Sequence, residues 1–280
     1  MWSLDGCLSF RRNADSSSHA PSGSPPCVLL VLRAVCLFPA SDALGAEPLR
    51  ILPLGDSITR GSYLATEEGR ITGLPHPDGG GWRKTLQASL RDAGIPYDFV
   101  GDLSYAAFGK EGVIDPQFDP DHHGLAGFSN TLIRNGGIVP TPPDVLAALG
   151  VKEVRVSGIA DVLKRHQPDV ILLMSGANGF NDAARDELIR LIGETSRAHL
   201  LVATILPQKP PRAGWEKVDA YNATLPAVVA AQKAAGKPIS LVDIHAAITT
   251  DDLLPDGVHP NQEGMDKMAD VWFAALKRLR

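Results

Sequence analysis

Asp169-Val170-Ile171-Leu172-Leu173-Met174 is polar only at its first position and stops in a Ser175-Gly176 turn. A strand wetted on one face alternates apolar with polar side chains, whereas a run that is apolar throughout suits a strand covered on both faces, as in a parallel sheet between helices. The same unit recurs along the chain. Arg50 to Leu54 is a second buried strand, ending in Gly55-Asp56-Ser57. Trp82 to Ala93 then reads as a helix, with Trp82, Leu86 and Leu90 at a spacing of four and Gly94 as its stop. Tyr97 to Val100 gives a strand, and Ile159 to Arg165 a helix closed by Pro168. Arg185 to Ser196 is a helix with Leu188, Leu191 and Ile192 on one face, and Leu200 to Leu206 a strand ended by Pro207. Val218 to Ala235 reads as a helix that Pro226 should kink or break; Ile239 to Val242 is the last strand and Gly264 to Leu279 the last helix. Five strands with helices between them predict an α/β fold, a three-layer α/β/α sandwich around a five-stranded parallel sheet with right-handed crossovers.

Composition narrows the functional classes. The chain has 280 residues, 44% apolar and 21% charged, which is ordinary globular usage and excludes wholesale disorder, collagen and coiled coil. Lys and Arg total 27 against 32 Asp and Glu, a net charge of −5, so a phosphate-neutralising surface and a nucleic-acid partner are not expected. The three cysteines, Cys7, Cys27 and Cys36, all precede residue 37. Beyond them, thiolate zinc sites, thiol catalysis and a disulfide framework are excluded.

Residues 1–46 differ from the rest. A Ser- and Pro-rich stretch leads from Arg11 and Arg12 into the apolar run Cys27 to Ala40 and then the small residues Ala43 to Ala46, the pattern of a secretory signal peptide. Arg33 interrupts the run, which is too short to span a bilayer, where about 20 apolar residues are needed. The expectation is a secreted or periplasmic protein, with residues 47–280 as one domain. Within it, residues 103–158 are rich in Gly and Pro, have few periodic apolar positions, and read as an irregular insertion that forms either a surface loop or a wall over the site.

In an open parallel sheet, ligands bind at the carboxyl ends of the strands. Ser57 follows the first predicted strand, Asn178 follows the run ending at Met174, and Asp256 and His259 lie just before the last helix. These are a nucleophile, an amide donor, a carboxylate and an imidazole, the set that acyl transfer needs. A serine hydroxyl attacks an ester only if a base takes its proton, an imidazole does this near neutral pH, and a carboxylate on the other ring nitrogen holds the required tautomer. Asp256-Gly257-Val258-His259 can present base and carboxylate from one short loop.

Ile51-Leu52-Pro53-Leu54-Gly55-Asp56-Ser57-Ile58-Thr59 resembles the first block of the SGNH, or GDSL, hydrolases, and Asp256-Gly257-Val258-His259-Pro260 followed by Gly264 resembles their last. Gly124-Leu125-Ala126-Gly127-Phe128 is similar to the glycine block and Ser175-Gly176-Ala177-Asn178 to the asparagine block. The resemblance implies a flavodoxin-like SGNH hydrolase fold, Ser57, Asp256 and His259 as catalytic residues, and an oxyanion hole from the Ser57 and Gly127 amides and the Asn178 side chain. The family pattern Gly-x-Asn-Asp departs here, because Asn181-Asp182 follows later, so Asn181 stands as the alternative to Asn178. Gly81-Trp82-Arg83, Asp98-Phe99-Val100-Gly101 and the stretch from His122 to Phe128 resemble the carbohydrate-esterase branch that removes acetyl groups from xylan.

The function expected is a serine esterase of short acyl esters, O-acetyl groups on carbohydrate first, with a small-molecule or polysaccharide ester as partner and no cofactor. A lipolytic esterase or thioesterase on longer chains is the alternative within enzymes, and a noncatalytic carbohydrate-binding protein of the same fold the alternative from another class. Asp119, Asp121, His122 and His123 have ligand chemistry, but such clusters in loops are more often solvated, and no metal is expected. Asp56 is expected to brace its turn by hydrogen bonding. His76 and Asp78 lie in a Gly/Pro-rich turn without an assigned role, and Trp215 reads equally as a sugar-facing or a packing residue.

Overall fold

The structure, a computed structural model, describes residues 47–61, 80–104, 117–139, 147, 150 and 152–280. The stretch expected to be a signal peptide, the three cysteines, His76 and Asp78 lie outside the described residues. In chain order the elements begin with β1 (Leu49–Gly55), α1 (Ser57–Arg60), α2 (Trp82–Asp92), β2 (Tyr97–Phe99), β3 (Leu103–Ser104) and β4 (Asp121–Gly124). There follow α3 (Asn130–Asn135), β5 (Gly136–Val139), β6 (Val154–Ser157), α4 (Ile159–His166), β7 (Val170–Met174), α5 (Asp182–Thr195) and β8 (His199–Ala203). The chain ends with α6 (Val218–Ala223), α7 (Leu225–Ala234), β9 (Ile239–Val242) and α8 (Gln262–Lys277).

All five strands expected from the apolar runs lie side by side and parallel, in the order β2-β1-β7-β8-β9. Taken in chain order these five run second, first, third, fourth, fifth, the doubly wound order whose switch point falls between its first and third strands, here β1 and β7. Alternate residues serve opposite faces, as a period of two requires. Ile51, Leu172, Met174 and Leu201 join the core under α2 and α8, where the rings of Trp82 and Trp272 lie 5.7 Å apart. Leu52, Leu54, Ile171, Leu173 and Leu200 join the other, with Val162 and Leu163 of α4, Leu188, Ile189 and Ile192 of α5, and Leu225 and Val229 of α7.

Among the described residues the sheet has seven strands rather than five, and the two additions come from the stretch expected to be irregular. β2 pairs with β1 only from Leu49 to Ile51, and the same edge is then taken over by β4, parallel, with Leu54 opposite His123 and Gly55 opposite Gly124. β3 pairs antiparallel with β4, and β5 and β6 form a separate antiparallel pair. Backbone N–H and C=O groups at the end of β1 need partners whatever the partner's side chains are, so Asp121-His122-His123-Gly124 becomes a strand without hydrophobic alternation. His122 and His123 are consequently buried rather than solvated. As neighbours on a strand they point to opposite faces of the sheet, and among the described residues no group of three or more His, Cys, Asp or Glu is placed to hold a metal. Burial holds the His123 imidazole down to about 4, and that of His122 well below the usual range.

Two helical stretches depart from the sequence reading by more than two residues. Helix α5 starts three residues before Arg185 because the Asn181 side chain caps it, accepting from the Ala184 amide at 3.0 Å. The stretch from Val218 to Ala235 is two helices: α6 ends before Thr224, and α7 restarts with Pro226 in its first turn, where a missing N–H costs nothing.

Candidate active site

Ser57 is the first residue of α1, reached directly from the buried end of β1. Asp56 caps that helix: its buried carboxylate accepts from the Ile58 amide at 3.1 Å, and the amides of Ala177 and Gly176, just past β7, also face it. Burial raises the Asp56 carboxyl, while the Ile58 amide, the charge of His259 and the two β7-side amides pull against that. The expected brace therefore spans the switch point as well as its own turn. Arg83, fully buried at the start of α2, donates to the carbonyls of Thr59 at 3.2 Å, Arg60 at 3.0 Å and Pro120 at 3.1 Å, which ties the end of α1 to the approach to β4.

His259 and Asp256 come from the loop between β9 and α8. His259 Nε2 lies 2.8 Å from Ser57 Oγ, and its Nδ1 lies 2.6 Å from Asp256 Oδ2. The side chains of His259 and Asp256 are only 7% and 8% exposed, so this contact is shielded from water. The other carboxylate oxygen, Asp256 Oδ1, accepts from the amides of Val258 and His259, each at 3.0 Å. Burial alone would raise the Asp256 carboxyl; the hydrogen bonds from the His259 ring and the two amides outweigh it and hold the group below the usual carboxylate range. The turn itself depends on Gly257, at φ +76°, where a Cβ would lie 2.0 Å from the carbonyl oxygen of Lys209.

Gly127 lies between β4 and α3, exposed, at φ +77°, and a Cβ there would meet no atom within 4 Å, so the approach to its backbone is open. Asn178 follows β7, and its Nδ2 donates to the Phe128 carbonyl at 3.2 Å, joining the two loops. Asn181 spends its side-chain oxygen on the cap of α5. Trp215 is 45% exposed in the connection from β8 to α6. That connection touches both flanking loops: the Lys209 amide donates to the Gly257 carbonyl at 3.0 Å, and Arg212 donates to the Ala177 carbonyl. Asn130 and Tyr221, joined to Ser175 at the end of β7, carry no local sequence pattern that singles them out.

The family model for GDSL-like lipase/acylhydrolase matches residues 51–272. The chain belongs to this family of carboxylic ester hydrolases. A multidomain esterase of Ruminococcus flavefaciens is 27% identical over 271 residues, 89% of this chain and 31% of that protein. A putative endoglucanase X of Acetivibrio thermocellus is 30% identical over 128 residues, 42% of this chain and 54% of that protein. The chain thus spans about a third and about half of these relatives. Among solved structures, the Clostridium thermocellum family 3 carbohydrate esterase matches at TM-score 0.58 and 26% identity, covering 83% of this chain and 99% of that one. A family 3 carbohydrate esterase from Talaromyces cellulolyticus matches at TM-score 0.59 and 24% identity, over 82% and 97%. The fold is the SGNH hydrolase-like α/β arrangement. Among the described residues no helix is long and apolar enough to cross a membrane.

Proposed function

We propose that this acylhydrolase is a serine esterase that removes short acyl groups, acetyl first, from carbohydrate through an acyl-enzyme. The observation that carries the reading is the buried relay from Asp256 through His259 to Ser57, with contacts of 2.6 and 2.8 Å. In this scheme Ser57 Oγ attacks the ester carbonyl while its proton passes to His259 Nε2, and Asp256 stabilises the imidazolium. The negative charge that develops on the carbonyl oxygen is met by the Ser57 and Gly127 amides and by Asn178 Nδ2. His259 gives the proton to the departing sugar oxygen, which leaves as a hydroxyl; a water that His259 deprotonates then attacks the acyl-enzyme, and His259 passes that proton to Ser57 Oγ as the carboxylic acid is released. These side chains and backbone amides account for every proton and charge, so the scheme calls on no cofactor.

Asn178 rather than Asn181 takes the oxyanion role in this reading, because capping α5 holds the Asn181 side chain at that helix's start, whereas Asn178 Nδ2 is tied by one N–H to the Phe128 carbonyl beside Gly127 and keeps its second N–H for the oxyanion. The carbohydrate part is supported by the likeness to the Clostridium thermocellum carbohydrate esterase and by Trp215, whose exposed indole can lie against a sugar ring beside the loops of the site. Ser57→Ala should lose labelling by a fluorophosphonate and leave less than about a hundredth of the wild-type turnover. Retention of more would refute Ser57 as nucleophile. Acetate release from acetylated polysaccharides, measured beside nitrophenyl esters of rising chain length, tests the substrate: rates that climb with chain length would overturn the acetyl assignment in favour of a lipolytic esterase.

A further inference from the structure

Three buried polar side chains outside the hydrolytic scheme close a ring of hydrogen bonds between the loops of Gly127 and Asn178. Ser175 Oγ donates to Asn130 Oδ1 at 2.6 Å, Asn130 Nδ2 donates to Tyr221 Oη at 2.8 Å, and Tyr221 Oη donates to the Ser175 carbonyl at 3.2 Å. Asn130 opens α3, three residues after Gly127; Ser175 follows β7, three residues before Asn178; Tyr221 reaches in from α6. The Tyr221 ring is wedged as well. A Cβ on Gly176 would lie 2.6 Å from it, the Arg185 guanidinium sits 4.7 Å from its centre, and Phe180 meets it edge-on at 6.0 Å. Burial pushes the phenol up to about 12, so it stays a neutral hydroxyl that can donate.

Apolar side chains of similar size would fill this space about as stably, so the distinctive product of a fully satisfied buried polar network is one fixed arrangement. The arrangement fixed here is the placement of one loop against the other. The contact from Asn178 Nδ2 to the Phe128 carbonyl at 3.2 Å is a first joint between them. A single joint leaves a hinge; the ring supplies the second joint and removes it. We infer that Tyr221, acting through Asn130 and Ser175, is a positioning residue that holds the Gly127 amide and the Asn178 side chain in register for the oxyanion. The inference rests on the assignment of these two donors proposed above.

Tyr221→Phe tests it, because the ring and its packing stay while both hydroxyl bonds go. Removing an oxyanion donor outright costs about 10²- to 10³-fold in kcat, so donors displaced but still present should cost about tenfold, with KM for nitrophenyl acetate within about twofold. The deciding readout is the affinity for a short alkylboronic acid, whose tetrahedral adduct on Ser57 occupies the oxyanion position. Affinity for it should fall by about the same tenfold in Tyr221→Phe, and a fall of twofold or less would overturn the inference. Asn178→Ala is run alongside. If it leaves boronate affinity unchanged, the oxyanion assignment fails and the inference falls with it; if it weakens binding and Tyr221→Phe does not, only the role of the ring fails. Should Tyr221→Phe not fold, Ser175→Ala removes one bond of the ring and is judged by the same readout.

Discussion

Asp256→Asn is an informative single substitution because the amide can sit in the carboxylate's place in two ways. If its oxygen keeps the Val258 and His259 amides, both at 3.0 Å, its NH₂ faces His259 Nδ1. The ring nitrogen must then accept, the imidazole proton moves to Nε2, and Nε2 can no longer take the proton of Ser57 Oγ 2.8 Å away. If instead the amide flips, the tautomer is preserved, but two shielded backbone N–H groups face an NH₂ and lose their acceptor. Each buried donor left unpaired costs about 1–3 kcal/mol, so the flip costs about 2–6 kcal/mol while the first arrangement costs only a tautomer change. The first arrangement wins, and its inactive tautomer should lower kcat by about 10³- to 10⁴-fold, or about 4–5.5 kcal/mol. KM should hold, since the Asp256 side chain is 8% exposed and lies behind the imidazole from the nucleophile. Steady-state rates on nitrophenyl acetate near neutral pH measure both quantities. A variant within about thirtyfold of wild-type kcat would refute the reasoning, because the two amide bonds would then have failed to dictate the orientation.

Gly257→Ala puts a Cβ against the Lys209 carbonyl at a positive φ, and should cost about 2 kcal/mol or more of stability together with most of the activity, measured by thermal unfolding and initial rates. Trp215→Ala should raise KM on acetylated polysaccharide several-fold while sparing nitrophenyl acetate; equal effects on both would remove the sugar-facing role. His123, buried and held near 4, remains neutral in the folded protein where an unfolded chain would protonate it, so its presence costs stability as pH falls from about 6.5 towards 4. His123→Leu should therefore lose about 2 kcal/mol less than the wild type between pH 6.5 and 4.5, read from urea unfolding at the two pH values.

The parts of the fold legible in the sequence are those where burial dictates residue type. The runs in β1, β7 and β8 are buried along most of their length and apolar enough to place each strand within a few residues, and Ile239, Leu241 and Val242 mark β9 although its middle is half-buried. β4 was illegible for the converse reason: Asp121-His122-His123-Gly124 is recruited by the open edge of β1, a demand that its own side chains do not register. Residues close in sequence, such as Asp256 and His259, declare their partnership through spacing. Asn130, Ser175 and Tyr221 do not, because 45 and 46 positions separate the members of their ring and each residue alone is unremarkable in composition. Asn178 and Asn181 could not be separated by pattern, since the difference between them is what each side chain already binds.

The divided edge of β1 bears on how the protein reaches its reactive form. Its last two residues, immediately before the nucleophile turn, pair with β4 some 70 positions downstream on one side and with β7 about 120 positions downstream on the other, and His259 arrives from 202 positions away. Closures of this length are late and slow events in folding. Ser57 should therefore acquire its reactivity among the last steps of refolding, so the rate at which a refolding sample becomes labelled by a fluorophosphonate serves as a clock for the completed chain.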